Sequence, residues 1–77
     1  MRLVDGNNIE VDQTVEAITA AVTTQGIVST DEDRPLAVQR EDDGFSVSDD
    51  RSDGVVYESD DVEKCVRKVL DRLKNRR

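Results

Sequence analysis

Apolar and polar positions alternate with different periods along this chain, and the changes of period mark its elements. Val11, Val15, Ile18 and Val22 fall at steps of four, three and four, the repeat of one helical face. Asp12 stands where an N-cap carboxylate accepts from first-turn amides, and Gly26 suits a left-handed stop. The spacing therefore predicts a first helix over 12–26. Leu36, Val38 and Arg40 then alternate with Ala37 and Gln39, and Phe45 and Val47 alternate with Ser46 and Ser48. Period two is that of half-buried strands. Val55-Val56-Tyr57-Glu58 is β-branched and aromatic, which favours a third strand. Val62, Val66, Val69 and Leu73 return to a helical stripe, widened by Cys65 and Leu70. With Asp60 and Glu63 as a cap pair, this predicts a second helix over 59–77.

Turn residues separate these runs. Ser29 to Pro35 reads as an exposed loop, because proline disfavours helix before it. Asp42-Asp43-Gly44 is a turn, and residues 49–53 before Gly54 form a polar loop. At the start, residues 2–4 and 9–11 flank Asp5-Gly6-Asn7-Asn8, the pattern of a short β-hairpin. The predicted fold class is α+β: a three-stranded antiparallel meander with two helices on one face, in the order α-β-β-β-α, with an N-terminal β-hairpin able to extend the sheet.

Size limits what else is present. Seventy-seven residues make one small domain, 1–77. Valine supplies twelve of the apolar side chains, and Phe45 and Tyr57 are the aromatics, so the core should be thin. One cysteine and no histidine exclude an internal disulfide and Cys-His zinc sites. Cores this small commonly need added support. A partner chain, or a second copy as a homodimer, is the expected source.

Charge adds a second layer. The formal net charge is −7, with twelve Asp over six Glu and eight Arg over three Lys. That balance looks like a protein of a salt-loving archaeon. Surface self-repulsion opposes compaction in dilute buffer. At 1 M salt the Debye length falls to about 3 Å and the repulsion is screened. Two apolar residues follow Met1-Arg2 before Asp5, too few for a signal-peptide core, and no run reaches membrane-spanning length. The expected location is cytoplasmic, with no membrane partner.

No residue set carries recognisable catalysis. The acids fall in turns, caps and exposed helix positions, which reads as a solvated surface rather than an acid/base pair. Residues 49–53 lack the order of an EF-hand loop. No metal or other cofactor is expected. Cys65 lies on the apolar side of a helix with no histidine to activate it, so it reads as core. The glycines sit beside turns and build no phosphate loop. Helix, three strands and helix is also the order of double-stranded-RNA-binding domains, which need a basic helix start. Here that start is Ser59-Asp60-Asp61-Val62-Glu63-Lys64, so nucleic acid is disfavoured as a partner. Arg67, Lys68, Arg72, Lys74, Arg76 and Arg77 cluster late in the helix, where they complement its dipole.

One resemblance runs over residues 36–74. Gly44 and Phe45 open a strand, Gly54 precedes the next, and Asp60-Asp61-Val62-Glu63-Lys64-Cys65 starts a capped helix. This pattern resembles the HicB-like antitoxin fold, a small sheet-plus-helix domain. Asp53, Ser59 and Cys65 stand where that family usually has proline, glycine and alanine. The resemblance implies a protein that masks a small basic RNA-cleaving toxin, a partner that an Asp-rich surface would complement. The expected function is a non-enzymatic protein-binding module, antitoxin-like or regulatory. Two alternatives stay open: a self-associating structural module pairing through a sheet face or edge, and a nucleic-acid-associated regulator. The candidate partner-binding residues are Arg40, Phe45, Tyr57, Arg72 and Arg76.

Overall fold

The structure is a computed structural model that describes residues 2–52 and 54–76. Met1, Asp53 and Arg77, named above, lie outside the described residues. Two helices pack on an antiparallel sheet of six strands. The chain runs through β1 (Leu3–Asp5), β2 (Glu10–Val11), α1 (Val15–Gln25), β3 (Ile27–Thr30), β4 (Leu36–Glu41), β5 (Gly44–Asp49), β6 (Gly54–Ser59) and α2 (Val62–Lys74). A 3-10 turn, Asp50–Ser52, follows β5. Across the sheet the order is β2-β1-β3-β4-β5-β6.

The α+β class and both helices match expectation. A sheet of three strands does not, because it has six. Two of the additional strands are the hairpin, with Leu3 opposite Val11. The third, β3, overlaps the segment read as a loop from residue 29. Gly26 adopts φ +88° and stops α1, so Ile27 and Val28 leave directly in an extended direction. Val28 then pairs with Val38, and Leu3 pairs with Thr30. β3 is thus the seam that joins hairpin and meander. The Thr30 hydroxyl oxygen accepts from the Leu36 amide at 2.9 Å, closing the β3–β4 connection.

Both helix starts lie further along than the sequence implies. Thr14 caps α1 by accepting from the Ala17 amide, and Asp61 caps α2 by accepting from the Glu63 amide. Asp12 and Asp60 precede the caps. Each cap must have extended backbone while its oxygen reaches forward, and Thr14 and Asp61 meet that condition.

The core lies between the helices and one sheet face. Leu3, Val11, Val28, Leu36, Val38 and Val47 meet Ile18 and Val22 of α1 and Cys65, Val66, Val69 and Leu73 of α2. Valine dominates, as the composition implies. α2 contacts β4, β5 and β6, whereas α1 contacts β1 to β4. The register opposes Val28, Val38, Val47 and Tyr57 in one inward row. The opposite face carries the row Val4, Ser29, Ala37, Ser48 and Val55. A register shift at Val47/Ser48 leaves Val56 of β6 without a partner on β5, the pattern of a bulge.

Candidate functional site

Three features stand out, and each follows from a different part of the pattern. The first is the free edge of the sheet. β2, at one side, has two residues, while β6, at the other, has six. An edge strand shows unpaired amides and carbonyls to its outer side. Val55 on β6 is 61% exposed. Along this edge runs a groove of about 310 Å³ lined by Tyr57, Lys64, Arg67, Lys68 and Asp71. Its helical residues fall at i, i+3, i+4 and i+7, one stripe on α2. The Lys68 ammonium stands 5.2 Å from the centre of the Tyr57 ring, within cation–π range. Arg67 pairs with Glu63 at 3.1 Å. No ion pair holds Lys64 or Asp71 among the described residues.

The second feature is an acid-lined cleft at the β4–β5 turn. Glu41, Asp42, Asp43, Glu58 and Asp60 surround Gly44 and Phe45, enclosing about 540 Å³. A Cβ on Gly44 would stand 2.8 Å from the Ser59 carbonyl oxygen. Glycine there lets the turn close against the start of the β6–α2 connection.

The third is a set of ion pairs between the end of α2 and the sheet. Asp49 ends β5 and is 4% exposed. It accepts from the Arg72 guanidinium at 2.8 Å, from the Arg76 guanidinium and from the Arg51 amide at 3.0 Å. Arg76 also donates to Glu32 at 2.6 Å and to the Arg34 carbonyl at 2.8 Å, and Arg51 pairs with Glu32 at 3.1 Å. Burial by itself would raise the Asp49 carboxyl. The bonds from the Arg51 amide, Arg72 and Arg76 outweigh it and hold the group below its ordinary range. Glu32 is likewise lowered: bonds from Arg76 and Thr30 and the charges of Arg76 and Arg51 exceed the effect of burial.

This cluster corrects the expectation that every acid is solvated. The signal was present: Phe45, Val47 and Asp49 share one parity, so Asp49 points toward the helices. Arginine supplies the bonds its burial then demands.

The candidate partner-binding residues fall in separate places. Tyr57 belongs to the edge groove and Phe45 to the acidic cleft. Both also pack partly on the core. Arg72 and Arg76 are engaged in the ion-pair cluster, and the Arg76 side chain is 4% exposed. Arg40, inward by parity, donates to the Thr23 carbonyl at 2.6 Å and satisfies the end of α1. Lys64 and Asp71 carry no signal in the sequence, because only the position of β6 beside α2 gives them a shared edge. Cys65 is buried, and desolvation pushes its thiol up, which opposes thiolate formation. Among the described residues no group of His, Cys, Asp and Glu is placed to hold a metal ion, and no helix is long and apolar enough to cross a membrane. No family model, curated protein or solved structure matches the chain.

Proposed function

We propose that this chain is a non-enzymatic protein-binding module whose binding element is the β6 edge with its flanking groove. The observation that carries this is the contrast between the two edges: six residues with an aromatic-lined flank against two. Strand addition at such an edge draws affinity from main-chain hydrogen bonds and specificity from neighbouring side chains. The basic side chains at the end of α2 favour protein over nucleic acid as the partner, since Arg72 and Arg76 are already engaged by Asp49 and Glu32.

Hydrogen exchange tests the reading. The amides of residues 54–59 should gain protection when the partner is bound. Val55→Lys, at an exposed position, should remove that protection while the fold persists, because an edge lysine opposes strand addition. A partner footprint elsewhere would overturn the proposal, as would a turnover abolished by one substitution.

A second reading, antitoxin-like masking of a basic protein, is supported by the acid-lined cleft around Phe45. The residues that carry the HicB-like resemblance span β4, β5, β6 and α2. In this reading the carboxylates speed encounter, and the association rate should fall steeply with salt.

A further inference from the structure

We infer that the partner at the β6 edge is a second copy of this chain, docked about a two-fold axis through the middle of β6. The inference rests on the reading of β6 as the binding element and names its occupant.

The argument begins with symmetry. A two-fold axis perpendicular to the sheet pairs β6 antiparallel with its copy and lays α2 antiparallel to its copy. Side chains equidistant from the axis, on opposite sides of it, then come face to face. Tyr57 lines one groove with Lys64, Arg67, Lys68 and Asp71, with Lys68 over its ring, which sets this stretch of α2 beside the middle of β6. Arg67 and Lys68 are also the midpoint of the stretch from Lys64 to Asp71. The middle of the strand, where its register against β5 shifts at Val56, therefore lies beside the midpoint of the charged stripe.

That placement has a chemical result. Lys64 and Asp71 lie about 10 Å apart along the helix. The two-fold axis sets Lys64 of each copy against Asp71 of the other, twice over. Both side chains are exposed and neither has an ion pair within the described part of its own chain. The same stripe facing a parallel copy would oppose like charges, so the pattern also selects the orientation.

Distance is compatible with this. α2 reaches β4, β5 and β6 and so lies over β5. Joining the two β6 edges puts the β5 strands, and with them the helices, about 14 Å apart by three strand spacings. That gap is too wide for direct helix packing at 8–10 Å but suits long side chains. The two Tyr57 rings occupy it beside the axis. Arg67 and Lys68 approach their own copies there, with Glu63 at Arg67 and the Tyr57 ring at Lys68 to temper the repulsion.

Charge exchange provides the test, read by sedimentation equilibrium at the lowest salt that keeps the chain folded by circular dichroism. Wild-type protein should dimerise. Lys64→Asp and Asp71→Lys should each raise the dimer Kd by at least about tenfold, since each reversal acts at both symmetric contacts. The double variant should restore the wild-type Kd. A mixture of the two single variants should form a heterodimer more tightly than either forms a homodimer. A wild-type chain that stays monomeric at millimolar concentration overturns the proposal. So does a dimer indifferent to these exchanges. Hydrogen exchange on the same samples keeps the two readings apart. A monomer whose residues 54–59 become protected by a different protein sinks self-pairing and leaves the binding edge standing; β6 amides that no bound protein protects sink both.

Discussion

Replacing Arg76 with alanine is the sharpest test of how burial decides the worth of an ion pair in this fold. Arg76 ties the end of α2 to Asp49 of β5, to Glu32 and to the Arg34 carbonyl. Its side chain and that of Asp49 are 4% and 6% exposed. Removing one partner of a buried pair costs about 3–5 kcal/mol when the other charge is stranded. Asp49 is not fully stranded, because Arg72 and the Arg51 amide still donate to it. We therefore expect about 2–4 kcal/mol, of the order of one or two charge-assisted hydrogen bonds. A domain of this length has roughly 4–12 kcal/mol of total stability, so the loss is a large fraction. Melting should fall by roughly 10–30 °C, at about 4–8 °C per kcal/mol. The control is Arg67→Ala. Its pair with Glu63 spans one helical turn, with side chains 64% and 56% exposed, and should contribute less than about 0.5 kcal/mol. Thermal and urea unfolding of both variants by circular dichroism decides the matter. Equal, small losses would refute the reasoning and place Arg76 in a solvated tail.

Acid should weaken the fold through the same cluster. Asp49 and Glu32 have folded pKa values below their ordinary values of 3.8 and 4.5. The unfolded chain therefore takes up protons first as pH falls, and the stabilisation present above about pH 5 is lost toward and through the lower folded values. Urea midpoints from pH 7 to pH 3 should show a steep acid limb that flattens in Asp49→Asn; an unchanged limb would place the loss elsewhere. Gly44→Ala should destabilise by roughly 1–3 kcal/mol, because the new Cβ meets the Ser59 carbonyl at 2.8 Å and the backbone must shift; a neutral result in the same melts would show that the turn is free to open. With a net charge of −7, the melting temperature should rise between dilute buffer and 1 M potassium chloride as repulsion is screened, and a fall across that range would show that attractive pairs dominate.

The sequence by itself determined much of this protein. The steps from Val15 to Val22 and from Val62 to Leu73 specify two helical faces, since a packed helical face has one repeat, whereas Val11, one step earlier on the same stripe, belongs to β2 and reaches the core from there. Alternation at Leu36–Arg40 and Phe45–Ser48 specifies strands and even their inward parity. The hairpin between Leu3 and Val11 was legible from its turn residues. Cys65 was legible as core, since it sits on the apolar side of its helix. These features are local, and local chemistry suffices for them. Other features needed the fold. β3 is four residues long, too short for a period to stand out, and it becomes a strand because β1 and β4 supply hydrogen bonds on both sides. Thr14 and Asp61 cap in place of Asp12 and Asp60 because a cap needs extended backbone and an oxygen that reaches the first amides, and where the helix begins is decided by its packing. Asp49, Glu32, Arg72 and Arg76 are scattered along the chain, and their union depends on α2 returning across β5. The placement of β6 beside α2, which gives Lys64 and Asp71 their common edge, exists in no linear pattern. A sequence states which residues want burial; tertiary structure decides which charges share a low-dielectric site and which strand is left without a neighbour, because both depend on contacts between distant segments.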